Sequence, residues 1–380
     1  MTMFSRCLAV SALVLPFIAT PANADEPIDI EAVYTADVSA TVAGGRDHRL
    51  RYLDNLDLAA EADFDALVGW HGARGFVYVL NNLGHRPNDG AGTAQGVDNI
   101  EVPRQGPHLF EAWLEQQFGP ASLRVGLYDL NSEFYATDAS SLLIAPPFGI
   151  GSELAATGVN GPSIFPSTGL AVRARVSFGE HCYAQAAVVN ADARTWGDRG
   201  GIDTGFENGV LMITEAGGGD RLRLAAGAWS YSRKQDHVYL TDASGNPARR
   251  HGQGAYILSE WRAGEDMTLF ARAGVSDGRT SAFRGGCQIG GLWEDVVPGR
   301  PDSAASLGLN HAWFSRGYRQ GLRDSGVAPS LAETAVELTF TDRLLPHLSV
   351  QPDIQYILSP GGDGNARSSL VTTLRMTVDF

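Results

Sequence analysis

Acidic and basic side chains recur at alternate positions of otherwise apolar segments throughout this sequence. Asp57, Glu61, Glu111, Arg124, Arg173, Arg175, Arg221, Arg223, Glu337, Asp353 and Arg375 all occupy the polar phase of such segments. They do not form a catalytic constellation. Histidines such as His108, His181, His251 and His311 have no serine signature nearby, and His85, His108 and Glu111 lack a recognised metal-ligand spacing. Carboxylates and guanidinium groups can together offer acceptors and donors to a polar solute, and the planar fork of arginine suits hydroxyls as well as carboxylates. These residues are therefore candidates to line a polar passage. No catalytic residue, cofactor or metal is expected. For each of them the competing reading is a solvated wall charge, or an ion pair that fixes a loop.

Charges in such a phase need elements that hold them there. At the end of the chain Leu370, Thr372, Leu374, Met376, Val378 and Phe380 alternate with Val371, Thr373, Arg375, Thr377 and Asp379. Period two puts the two sets on opposite faces of a strand. Thr334, Val336, Leu338 and Phe340 alternate likewise with Glu333, Glu337 and Thr339, and Leu170, Val172, Ala174, Val176 and Phe178 with Arg173, Arg175 and Ser177. Sixteen such segments can be placed, at 28–42, 50–62, 74–81, 108–118, 121–131, 167–178, 182–191, 209–216, 221–232, 253–263, 267–276, 284–293, 304–315, 333–341, 347–358 and 368–380. Gly-, Asn-, Asp- and Pro-rich breaks separate them.

The connections alternate in length. Short turns lie at Gly119-Pro120, 179–181, 217–220, 264–266 and 342–346, and long breaks at 82–107, 132–166, 192–208, 233–252, 316–332 and 359–367. The 63–73 and 294–303 connections are longer than the other turns on their side. Short turns on one rim, long loops on the other and an even strand count are the outer-membrane pattern. No apolar stretch after residue 24 reaches the roughly 20 residues of a spanning helix, and only helices or closed barrels pair every backbone group in hydrocarbon. The chain reads as all-β, a 16-stranded antiparallel transmembrane β-barrel, with one domain over 25–380. The 132–166 connection is the longest, and it holds Leu142-Leu143-Ile144 and Pro146-Pro147-Phe148. A loop this long is expected to fold in part into the lumen; the other reading is an extracellular cap.

Compartment and composition agree with this. Arg6 is the only charge before Asp25; an apolar run over Cys7–Ile18 and the small-x-small pattern Ala22-Asn23-Ala24 follow it, so 1–24 is expected to be a cleaved signal peptide. The chain carries 43 acidic and 29 basic groups, a net charge of −14, which argues against nucleic acid as a partner. Cys182 and Cys287 fall on strands far apart in this order and are expected to stay unpaired, even in an oxidising periplasm.

Four stretches resemble the carbohydrate-selective porins, the OprB family. They are Arg51-Tyr52-Leu53-Asp54-Asn55-Leu56-Asp57-Leu58 with Gly69-Trp70; Gly126-Leu127-Tyr128-Asp129-Leu130-Asn131-Ser132-Glu133-Phe134; Gly161-Pro162-Ser163-Ile164-Phe165-Pro166-Ser167-Thr168-Gly169-Leu170-Ala171-Val172-Arg173; and Glu333-Thr334-Ala335-Val336-Glu337-Leu338 with 348–356 and Pro360-Gly361-Gly362. The loops at 82–107 and 233–252 show no likeness. The resemblance implies an outer-membrane barrel that passes monosaccharides such as glucose into the periplasm through a narrow, charged constriction. A general or anion-preferring porin of the same architecture is the alternative within transport, and a secreted all-β carbohydrate-binding protein the alternative from another class.

Expected partners are a monosaccharide, outer-membrane lipid and, through the terminal Phe380, the barrel assembly machinery; monomer and trimer both stay open. Trp113, Trp229, Trp261, Trp293 and Trp313 are expected in the interfacial girdle. Stacking on a sugar ring is the other role open to one or two of them.

Overall fold

The computed structural model describes residues 27–380; the expected leader at 1–24 lies outside the described residues. In chain order the strands are β1 (Ile28–Ala43), β2 (Arg51–Asp63), β3 (Ala73–Gly84), β4 (Gly106–Phe118), β5 (Ala121–Tyr128), β6 (Gly169–Phe178), β7 (Cys182–Asn190), β8 (Val210–Gly218), β9 (Leu222–Tyr231), β10 (Gln235–Thr241), β11 (Pro247–Arg250), β12 (Gln253–Arg262), β13 (Met267–Ser276), β14 (Phe283–Glu294), β15 (Ala304–Phe314), β16 (Ala332–Leu345), β17 (Leu348–Leu358) and β18 (Ser369–Asp379). All except β10 and β11 close into one antiparallel barrel in which β1 pairs with both β2 and β18. Closure leaves no unpaired sheet edge, which is what a hydrocarbon surround demands. The sixteen expected segments are the sixteen barrel strands.

Differences are local. β10 and β11 form a separate hairpin inside the 233–252 loop. β5 stops at Tyr128 rather than near 131, because the Asp129 side chain accepts the Asn131 N–H and turns the chain into a short 3-10 helix. The β3–β4 ladder carries a bulge: Tyr78 faces Glu111 while Val79 faces Leu109, so Phe110 is an extra residue. Phe110 and Glu111 are both buried, and the inward phase of β4 below the bulge passes to Glu111, Trp113 and Glu115.

The two faces of the wall differ as period two requires. On β16 Val336 and Leu338 are 40% and 51% exposed on the outside, whereas Glu333 and Glu337 are 1% and 0% exposed within. Apolar groups outside and carboxylates inside suit a lipid surround and a polar interior. Among the described residues the Cys182 and Cys287 thiols are both free.

Much of the interior is protein. The segment between β5 and β6 enters the barrel and packs Leu130, Phe134, Tyr135, Ile150 and Leu154 against Val189, Leu211, Ile213, Trp229, Tyr256 and Leu258 of the wall. Further along it, Leu143 and Phe148 pack with Phe270. Each such side chain contributes about 1.5–3 kcal/mol on burial, so this connection has an apolar core of its own inside the barrel. Inward-facing glycines make room for it. A Cβ on Gly308 would lie 2.5 Å from the Phe148 ring, and one on Gly274 would collide with Glu153.

Candidate functional site

The wall charges of β8 and β12–β16 hold that loop by its backbone. Glu215 accepts the Tyr135 N–H at 2.9 Å, Glu260 the Ala139 N–H at 2.8 Å, and Glu337 the N–H groups of Ile144 and Ala145. Arg272 supplies the opposite polarity, donating to the carbonyls of Tyr135, Pro147 and Gly149 at 2.9, 2.8 and 2.7 Å. Charge-assisted bonds of this kind are about twice as strong as neutral ones, and the groups that make them are buried.

The connection between β3 and β4 also turns inward. Glu333 accepts the N–H groups of Ala94 and Gln95 at 2.8 and 3.0 Å, Gln355 donates to the Val97 carbonyl, and Arg375 reaches Asn99. Ala91 and Val97 pack on Ala335, Ile357 and Val371. The two loops meet where Ser152 Oγ donates to Gln95 Oε1 at 2.8 Å.

The open space left by these loops lies along β1–β6. On the long-loop side a chamber of about 320 Å³ is bounded by both loops, with Asn55, Asp57, Tyr78, Asp98, Asp129 and Arg375 contributing its polar groups. On the short-turn side a second chamber of about 600 Å³ is lined from β1–β7 and β9. Asp57 and Tyr78 line both chambers. They lie between the two: the Asp57 carboxylate accepts from Tyr78 OH at 2.5 Å and from Asn55 Nδ2 at 2.6 Å, and its enclosed Oδ2 has no protein donor.

Charge in the larger chamber is uneven. Asp57, Glu61, Glu111 and Glu115 come from β2 and β4, with Arg74 of β3 between them, whereas Arg124, Arg173, Arg175 and Arg223 come from β5, β6 and β9 and are joined by Glu133 and Asp138 of the inserted loop. Arg173 is 2% exposed and fully engaged: its Nε and Nη2 meet Glu133 at 2.7 and 2.8 Å, its Nη2 also meets Glu115, and its Nη1 donates to Ser122. Burial pushes the Glu133 carboxyl up, but Arg124 and Arg173 outweigh it and hold the group below its ordinary value. Arg175 is freer, with Nη1 on Gln185 at 2.9 Å and its guanidinium 4.4 Å from the Tyr183 ring centre. Arg223 bonds Glu260 at 2.6 Å.

Asp138, on the inserted loop, is exposed to this chamber. Burial and the Glu260 carboxylate push it up to about 6, against the pull of Arg223. In the smaller chamber, burial and neighbouring carboxylates push Asp98 and Asp129 well above the usual range.

Of the residues singled out by sequence, Asp57, Glu61, Glu111, Arg124, Arg173, Arg175 and Arg223 line the larger chamber, and Asp57 and Arg375 the smaller. Arg375 is locked on Asp37 by three contacts of 2.6–3.1 Å. Glu337 and Asp353 are buried and line neither chamber. Arg221 is exposed on the turn before β9, with its Nε on the Arg262 carbonyl: it shares the parity of Arg223 but lies beyond the end of the strand.

Trp113 and Trp229 are not girdle residues. Trp113 shares the inward phase of Glu111, and its ring carries Phe76 at 5.1 Å and the Arg124 guanidinium at 3.7 Å. Trp229 is buried under the inserted loop. Sequence reasoning missed Glu115, Glu133, Tyr78 and Arg272. The parity of Glu111 pointed to Glu115; nothing local marked Glu133 as the partner of Arg173, 40 residues away.

No helix among the described residues is long and apolar enough to cross a membrane. The sequence matches the family described as carbohydrate-selective porin, OprB family, over residues 47–380. Porin B of Pseudomonas aeruginosa is 22% identical over 402 aligned positions, covering 93% of this chain and 87% of that protein. A high-pH structure of Pseudomonas putida OprB shares the fold with a TM-score of 0.81 at 20% identity, covering 93% of this chain and 94% of that one. The outer membrane channel DcaP of Acinetobacter baumannii shares it with a TM-score of 0.60 at 12% identity, covering 93% and 97%. The chain belongs to the carbohydrate-selective porin, OprB family, and is a channel of the outer membrane rather than an enzyme.

Proposed function

We propose that this porin passes single monosaccharide rings, glucose among them, down their gradient toward the periplasm through the neck at Asp57 and Tyr78. The observation that carries the reading is the pair of chambers that share those two side chains. The smaller, about 320 Å³, falls at the low end of the roughly 300–1,000 Å³ usual for small-molecule sites. Carboxylates and arginines on adjoining walls of the larger chamber supply acceptors and donors to a neutral polyol, where an ion would meet attraction and repulsion together. Asp57 and Tyr78, which line both chambers, are the polar groups a sugar ring would meet in passing from one to the other.

The test is single-channel conductance in a planar bilayer with a graded series of sugars. Glucose should reduce the ion current saturably, and Asp57→Asn should weaken that block by about threefold to tenfold, the exchange of a charged acceptor for a neutral one. A current set by anion concentration and indifferent to glucose would assign the channel to anions instead.

A further inference from the structure

On the long-loop rim a short helix, α1 (Arg316–Asp324), lies after β15, capped by Ser315 Oγ, which accepts the Tyr318 N–H at 3.2 Å. Its two faces are unlike. Tyr318 stacks on Phe314 with ring centres 4.8 Å apart and donates to the Gly361 carbonyl, which ties one face to the barrel. Arg316, Arg319 and Arg323, at i, i+3 and i+7, form the other. Arg284 joins them from the wall. It is exposed at the bulged end of β14, and Gly278 lies between it and the helix cap: a Cβ there would be 3.0 Å from that of Arg284 and 3.6 Å from that of Ser315.

These four guanidinium groups have no ion-pair partner in contact. Among the described residues none has a carboxylate within 4.0 Å, and Arg319 Nε is buried without any partner. The carboxylate at the end of the helix, Asp324, is taken up by Tyr239 OH at 2.7 Å and Gln320 Nε2 at 2.8 Å. Burial, and then Arg323, Arg284 and Arg316, hold the Arg319 guanidinium below its ordinary value. In a chain of net charge −14, four like charges left together on one patch call for an anion from outside.

Their position says which. On the outward face of the wall Val275 of β13, opposite Gly285, lies beside Arg284, and Ile289 of β14 and Leu307 of β15, further toward the short-turn rim, continue the exposed apolar groups. The cluster therefore stands at the top of the lipid-facing belt, at headgroup height on the long-loop side. We infer that Arg284, Arg316, Arg319 and Arg323 form a binding site for the phosphorylated headgroup of the outer-leaflet glycolipid. Arginine's fork matches phosphate oxygens two at a time, and basic residues at a membrane surface hold anionic headgroups by additive attraction.

The experiment uses the whole barrel, purified in neutral detergent, with lipopolysaccharide as the probe and lipid retention read by native mass spectrometry. Replacing all four arginines with Gln should lower retention roughly tenfold or more, and dephosphorylated lipopolysaccharide should bind the wild type equally weakly. Arg221→Gln with Arg262→Gln, at the opposite rim, should leave retention unchanged. Single-channel conductance of the fourfold variant reports that it has folded. Unchanged retention in a conducting fourfold variant would overturn the site. Full displacement of the lipid by millimolar inorganic phosphate, or loss of conductance for phosphorylated sugars with lipid retention intact, would assign the cluster to a soluble anion and equally overturn it.

Discussion

The two sides of the lumen are built from the same alternating strands yet serve opposite ends. Along β8 and β12–β16 the inward phase meets loop backbone: Glu215, Glu260, Glu337 and Arg272 grip the segment between β5 and β6, and glycines such as Gly274 and Gly308 let it come close. Along β1–β6 the inward phase meets open space, and Glu61, Arg124 and Arg175 face it, while Glu111 lines it but spends Oε1 on the Asp129 N–H. A carboxylate in the polar phase therefore has two fates. Against an N–H it is an anchor whose desolvation is offset by hydrogen bonds; against water it stays available to a solute. The passage is shaped by one half of the wall and furnished by the other.

Breaking the anchored half should have the largest effect. Arg272 is 2% exposed and makes three bonds to carbonyls of the loop. Arg272→Ala removes them together and should loosen the loop by roughly 3 kcal/mol or more. The expected result is a larger, noisier open level in single-channel recordings and a weaker glucose block. An unchanged conductance would show that the apolar contacts of Leu143, Phe148 and Leu154 seat the loop without it.

The open half can be divided in turn. Arg173 and Arg175 share a strand and a phase but differ in their partners. Arg173→Ala leaves Arg124 as the counter-charge of both Glu115 and Glu133, at 2.9 and 3.9 Å, and should cost about 1.5–3 kcal/mol; thermal unfolding in detergent should shift down and the channel should become more cation-preferring. Arg175→Ala removes one bond to Gln185 and should stay within about 1 kcal/mol in stability, while weakening the glucose block. Stability lost with Arg175 and not with Arg173 would exchange the roles assigned to them.

Why part of this was legible in sequence follows from the same contrast. Period two reports which face a residue takes, and it placed Arg124, Arg173, Arg175 and Arg223 inside. It does not report depth, so Arg221 was grouped with Arg223 although it lies past the strand end. It does not report what a polar side chain meets, so Glu337 read the same as Glu61, although its partners at Ile144 and Ala145 are almost 200 residues away. A bulge changes phase without a local mark: Phe110 and Glu111 both face inward only because Tyr78 and Val79 pair as they do. The basic stripe of α1 was passed over because a single short helix leaves little periodicity in a chain of strands. The inward course of the loop after β3 left no trace in sequence, since Glu333 holds it from the other end of the chain.

Asp138 offers the finest separation of the two halves, because it belongs to the anchored loop and faces the open chamber. Burial and Glu260 place its titration at about 6. A raised value means that the group is neutral below that pH and negative above it. Lowering the pH from 7.5 to 5 should therefore remove one negative charge from the larger chamber and shift selectivity away from cations. Asp138→Asn should show the lower cation preference already at pH 7.5. The difference between variant and wild type, read as a reversal potential under a salt gradient, should vanish at pH 5, whatever the other carboxylates do. The size of the shift should be small, since Arg223 and Arg124 still dominate their part of the chamber. A difference that persists at pH 5 would mean that Asp138 acts through the seating of the loop at Ala139 and Glu260 and not through its charge.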